Sequence, residues 1–256
     1  MKPLIFLCCF LIGGGSASAW GYKGHDIVTA IAAANLKPRA AKKLNAILEG
    51  HTLTYYSGWM DNIRKQEPYR HTATWHYANV DEGYTFETMP RNPAGDVVSA
   101  LEETAAALRN GGLNDSVERT YVKFLIHLVG DLHCPMHAGH SPDRSGNLIP
   151  VTWFGKPTNL HAVWDDDIIE DGRRWSYTEW VENLDIVDRQ QKAAMARGTF
   201  SDWIAETIAV SDAVYRETPV DGKLSYDYMQ HFTPAVEQQL LKAGIRLAAI
   251  LNDIYG

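Results

Sequence analysis

Apolar residues recur at helical spacing along most of this 256-residue chain. Ile27, Ala30, Ile31 and Ala34 fall on one face of a helix beginning near Asp26, since side chains three and four apart stack on one side of an α-helix. Pro38 punctuates the pattern, Leu44, Ile47 and Leu48 continue it, and Gly50 closes it. Ser57-Gly-Trp-Met-Asp61-Asn-Ile-Arg64 reads as a short helix capped by Ser57, with Asp61 and Arg64 on one side. Residues 74–80 alternate and are aromatic, which predicts an extended piece or a tight connection, and residues 81–95 predict a surface loop. Asp96 caps a helix that ends at Asn110-Gly-Gly112. Asn114 to Ser116 opens the next, whose Val117, Tyr121, Phe124, Leu125, Leu128 and Leu132 form a wide apolar stripe. Residues 141–158 predict a long loop. Helices follow over 175–184, 200–215 and 235–254, the last with Thr233 as cap and Pro234 at its first position. The fold class is all-α: one mainly helical domain, undivided by any linker, repeat or charge shift.

The opening departs from this pattern. Lys2 gives a basic start, Pro3 to Ile12 an apolar run too short to span a bilayer, and Ala17-Ser-Ala19 a cleavage motif. A signal peptide over 1–19 and a mature domain over 20–256 are therefore expected, with export to the periplasm or the medium. Cleavage would remove Lys2, Cys8 and Cys9, leaving 23 basic residues against 31 acidic ones, a balance of −8, and one cysteine, Cys134. A chain of that kind forms no internal disulfide and relies on its core and on bound ions. Its acidic balance excludes a broad basic face for nucleic acid, but not a grip on phosphate through metal ions, which invert the local field.

Candidate chemistry concentrates in His127-Leu-Val-Gly-Asp131-Leu-His-Cys-Pro135-Met-His137. His127 and Asp131, four apart, place an imidazole and a carboxylate on one helical face. Pro135 ends the helix, so the chain turns and His137 can swing back. His161-Ala-Val-Trp-Asp165 repeats the same spacing. One such pair is most often an ordinary hydrogen bond; two pairs plus His137, with no paired thiolates, point to catalytic zinc rather than a structural zinc finger. Trp20 would acquire a free α-amine on cleavage, a nitrogen ligand that a metal deprotonates near neutral pH. His25 and His76 are further ligand candidates. Asp61 with Arg64 suits a metal ligand beside a cation for charge developing on phosphate. Tyr77 offers a stacking face and Asn79 an amide for a base edge. Asn147 sits in the loop that is expected to line the site. His51, His71, His140 and His231 are isolated and read as structural, and Cys134 as packed.

In order, Trp20, His25, Asp61, His76, His127, Asp131, His137, His161 and Asp165 resemble the zinc-dependent nuclease and 3′-nucleotidase family of fungi, plants and bacteria, the S-one/P-one type. The similarity runs from W-G-x-x-G-H through H-x-x-x-D-x-x-x-x-x-H to H-x-x-x-D, nearly the whole mature chain. It implies three zinc ions in a phospholipase C/P-one nuclease-like helical fold. Asp61, His76, His127 and Asp131 would hold one ion, and His137, His161 and Asp165 a second. The Trp20 amine and carbonyl with His25 would hold the third, bridged by Asp131. The implied activity is cleavage of single-stranded RNA and DNA to 5′-phosphate ends and removal of 3′-phosphates from nucleotides, by a monomer without a stable protein partner. Asn79 departs from the aspartate frequent there, so no base preference carries over. Fungal and plant relatives also carry disulfides that this chain lacks, as a bacterial member would. The alternatives are a bacterial zinc phospholipase C acting on phospholipid, whose first histidine lies farther from the N-terminus and whose last ligand is glutamate, and a non-catalytic zinc-binding protein.

Overall fold

A computed structural model describes residues 20–256; the expected signal peptide, residues 1–19, lies outside the described residues. The helices are α1 Tyr22–Ala34, α2 Pro38–Ile47, α3 Trp59–Ile63, α4 Val97–Asn110, α5 Asp115–Leu132, α6 Leu160–Ala162, α7 Ile168–Arg173, α8 Tyr177–Leu184, α9 Arg189–Met195, α10 Phe200–Glu217 and α11 Tyr226–Tyr255. A π turn, Val163–Asp167, joins α6 to α7. Three short strands, β1 Pro150–Trp153, β2 Lys156–Asn159 and β3 Lys223–Leu224, form a sheet of order β2-β1-β3. The chain is thus mainly helical, as the periodicity predicts.

Helix α5 lies at the centre, packed by α4, α1, α11 and α3. Its predicted apolar stripe widens toward its C-terminal end: Val117 and Tyr121 are half-buried, whereas every residue from Phe124 to Leu132 is buried. His127 and Asp131 are consequently fully enclosed. Asn114 caps α5 by accepting from the Val117 amide, and Asp96 caps α4 in a reciprocal box with Ser99, satisfying amides that a helix start leaves open. Helix α11 runs along α1, and Gly244 permits the approach, because a Cβ there would stand 2.5 Å from Cβ of Ile31.

Four local expectations are corrected. Pro38 opens a second helix, after an extended Lys37 that the following proline favours. Ser57 is not a cap: α3 starts after Gly58 without a side-chain cap, and the Ser57 hydroxyl donates to Asp26 Oδ1 at 2.6 Å. Within 141–158 lies the β1–β2 hairpin, turned by Phe154-Gly155 at φ 48° and 80°, a left-handed pair that matches strand twist. Pro234 sits inside α11 rather than at its start. The turns before it are held by buried Tyr228 and Phe232, which pack on Trp164, and Tyr228 accepts from Trp164 Nε1 at 3.0 Å; that packing outweighs the roughly 3 kcal/mol a proline costs in a helix interior. Helix α9 escapes the periodicity because none of its residues is buried.

Candidate metal centre

Asp131 is fully buried, and three imidazoles meet it, one from its own helix and two from other segments. His25, near the start of α1, brings Nε2 to 3.3 Å of Oδ1. His127, one turn earlier on α5, brings Nε2 to 3.3 Å of Oδ2, and His76, from the connection after a 3₁₀ turn, brings Nδ1 to 2.9 Å of the same oxygen. The two carboxylate oxygens therefore address different imidazoles. Asp61 on α3 closes the far side, 3.7 Å from His76 Nδ1 and 3.8 Å from His127 Nε2. Arg64, one turn on, stands with its guanidinium 3.1 Å from Asp61 Oδ1. Donor atoms of His25, His127 and Asp131, and of Asp61, His76 and His127, each gather within 4.8 Å.

A second group forms where α5 ends. Pro135 starts a 3₁₀ turn that returns His137 to the centre, with Nδ1 3.9 Å from Asp131 Oδ1 and Nε2 3.9 Å from Asp165 Oδ1. His161 Nε2 lies 3.0 Å from Asp165 Oδ2 across the π turn, an irregularity that concentrates at functional sites. Cys134 is fully buried and donates its S–H to Asp165 Oδ1 at 3.3 Å. Burial pushes its thiol well above the ordinary range, so it is a protonated, packed partner of Asp165. The Trp20 ring is buried, and the next residue ties the start of the domain to this group, Gly21 N–H donating to the Asp165 carbonyl at 2.8 Å.

Backbone carbonyls aim three of the imidazoles. Nδ1 of His127 meets the Ser57 carbonyl at 2.7 Å, Nδ1 of His161 the Ser145 carbonyl at 2.7 Å, and Nδ1 of His137 the His76 carbonyl. With Nδ1–H donating outward, each Nε2 lone pair faces the cluster, the tautomer a metal needs. Sequence reasoning missed these holders because every residue carries a carbonyl. In the structure the Ser145 carbonyl is presented by a left-handed run of Arg144, Ser145 and Gly146, a conformation that a non-glycine residue holds when its surroundings impose it.

Burial keeps His127 and His137 below the usual histidine range. Burial pushes Asp131 and Asp61 up, but the surrounding imidazoles, His127 foremost, outweigh it and hold both lowered, Asp131 well below the carboxylate range. Asp165 remains raised, because burial outweighs the lowering by His161 and His137 beside it. His76 Nε2 and Asp131 Oδ1 are buried without a hydrogen bond among the described residues, an arrangement that is costly unless another partner is present. Neutral imidazoles and carboxylates without a thiolate fit zinc.

The expected substrate residues are less uniform. Tyr77 is half-buried beside His76. The Asn79 carboxamide accepts from Ser145 Oγ at 2.8 Å, which links it to the carbonyl that holds His161. Asn147 donates its amide back to the Arg144 carbonyl at 2.8 Å.

Residues 20–256 match the family described as S1/P1 Nuclease. Similar proteins include Endonuclease 2 of Arabidopsis thaliana, 27% identical over 99% of this chain and 96% of its own length. Nuclease S1 of Aspergillus oryzae is 24% identical over 93% of this chain and 91% of its own. Nuclease P1 of Penicillium citrinum is 23% identical over 93% and 98%.

Proposed function

This chain belongs to the S1/P1 nuclease family and is a nuclease, and from that premise we propose that it is an exported, monomeric, trinuclear-zinc phosphodiesterase. It cuts single-stranded RNA and DNA to 5′-phosphate products and removes 3′-phosphates from nucleotides. The observation that carries this reading is the division of Asp131, one oxygen toward His25 and the other toward His76 and His127, as suits a carboxylate shared between two ions. In the proposed set, Asp61, His76, His127 and Asp131 hold one zinc, and His137, His161 and Asp165 a second. Trp20 and His25, with Asp131, hold the third. The family match begins at Trp20, where cleavage after Ala19 would leave the amine.

Bound zinc supplies Lewis acidity toward phosphoryl oxygens and lowers the pKa of water toward neutrality. The chain supplies the rest. Asp61, held ionised, orients the attacking water and accepts its hydrogen bond. Arg64, fixed against Asp61, faces the negative charge that develops on the phosphate oxygens. A recessed cluster reaches phosphorus when the neighbouring base is splayed from its stack, and Tyr77 receives that base while Asn79 and Asn147 meet its polar edges. This selects single strands over stacked duplex.

The test uses protein beginning at Trp20, zinc-loaded or chelator-stripped, on a single-stranded oligonucleotide and on phosphatidylcholine vesicles in parallel. Zinc-dependent cutting to 5′-phosphate ends, with little lipid turnover, is expected. Dominant lipid turnover would assign the centre to phospholipid, and tight zinc without turnover of either would make it a binding protein.

A further inference from the structure

Beside the metal centre, outside the residues assigned above, opens a cavity of about 530 Å³ lined by Tyr22, Asp26, Thr54, Tyr55, Ser57 and Asn62. Two of its walls adjoin proposed ligands in sequence: Asp26 follows His25, and Asn62 follows Asp61. Ser57, which also lines it, is the residue whose carbonyl aims His127. The cavity and the centre thus share backbone.

Tyr22 stands out within it. Its side chain remains 60% exposed, although aromatic rings ordinarily find cover. The ring is nonetheless held in place. It lies on Gly58, where a Cβ would stand 2.5 Å from Cε1 and 2.7 Å from Cδ1, and its hydroxyl donates to Asn62 Oδ1 at 2.9 Å. A second exposed ring, Tyr55, is backed by His51, stacked at 4.0 Å and 13°. Exposed rings with fixed orientations make a stacking surface at little entropic cost. Among the described residues Asp26 lines this cavity and no lysine or arginine does; the nearby Lys123 ammonium is taken up by the Tyr56 and Trp59 rings. A carboxylate and an amide beside aromatic faces suit the amino and carbonyl edges of a nucleobase.

We infer that the Tyr22–Asn62 cavity is a second nucleobase subsite, which stacks a further base of a single strand whose phosphate lies at the metal centre. This rests on the nuclease reading above and extends it from one bound nucleotide to an extended strand. Stacking on an aromatic side chain is worth roughly 5- to 150-fold in affinity per base.

The experiment compares wild type, Tyr22→Ala and Tyr22→Phe, all zinc-loaded and starting at Trp20. Turnover is measured on a single-stranded 12-mer and on bis(p-nitrophenyl) phosphate, which carries no base, and binding is measured calorimetrically with a phosphorothioate 12-mer. Tyr22→Ala should lower the ratio of kcat/KM on the 12-mer to that on the small diester at least about 5-fold, through KM, and weaken phosphorothioate binding by a like factor. Tyr22→Phe, which keeps the ring and loses the Asn62 hydrogen bond, should restore most of both. An unchanged ratio with unchanged binding, or equal losses on both substrates, would overturn the subsite. Wild-type protein inactive on both substrates would instead strike the nuclease reading, while strand binding would still report on Tyr22.

Discussion

Two side chains next to proposed ligands make separable predictions. Arg64 holds Asp61 at 3.1 Å without belonging to the donor clusters. Arg64→Gln should therefore leave zinc content intact and lower kcat by about 10²-fold, the usual scale for removing one charge-stabilising donor; zinc analysis alongside single-turnover rates separates the two effects, and lost zinc would make Arg64 structural. Cys134 acts through Asp165, to which its thiol donates. Cys134→Ala should weaken zinc held by the Asp165 group on the order of 10- to 100-fold, as is common when a hydrogen-bond partner of a ligand is removed, and Cys134→Ser should recover much of it. Chelator competition checks both, and an alanine variant with wild-type affinity would reduce Cys134 to packing.

The element that most needs external support is α5, which carries Asp131 in its last turn. Beyond that turn, His133 donates from Nδ1 to the Val129 carbonyl at 2.8 Å and accepts at Nε2 from Arg246 at 2.8 Å. Arg246, buried on α11, continues to Glu206 on α10 at 2.8 Å, and Gln239 donates to the His133 carbonyl at 2.9 Å. Two neighbouring helices thereby pin the end of α5. Burial first, and Arg246 second, push His133 from about 6.5 down to about 3. The folded state thus binds fewer protons than the unfolded state between those values, so this residue's contribution is intact above about 6.5 and is lost as pH falls toward about 3. In chelator, urea midpoints of wild type should fall more steeply over that window than those of His133→Gln. Parallel curves would show that His133 does not titrate this way.

For the molecule as a whole, the centre is a junction as much as a site. Segments carrying His25, Asp61, His76, Asp131 and Asp165 come from α1, α3, the connection after it, α5 and the π turn. An ion that binds only the folded arrangement stabilises all of them, by about 2.7 kcal/mol per site at 100 times its Kd. Chelation should lower Tm by roughly 5–10 °C for each such site lost in a domain of this size. Calorimetry against free zinc concentration measures this, and a Tm indifferent to zinc would mean that the donors are not bridging these segments.

What the amino-acid sequence determined by itself is local. The caps at Asp96 and Asn114, the apolar periodicity of α1 and α5, and the i, i+4 pairs of His127 with Asp131 and His161 with Asp165 depend on neighbours a turn away, and all are legible without a fold. The failures share a cause. Pro234 continues a helix because Tyr228 and Phe232 pack on Trp164, and Ser57 leaves its capping role because Asp26 stands within reach; in each, a distant partner overrides a local preference. The convergence of the separate histidines on one carboxylate is reachable through the family resemblance and not through local spacing, while the carbonyls that set their tautomers and the cavity lined by Tyr22 belong to the tertiary structure alone. Those depend on distances across the core, which spacing along the chain does not encode.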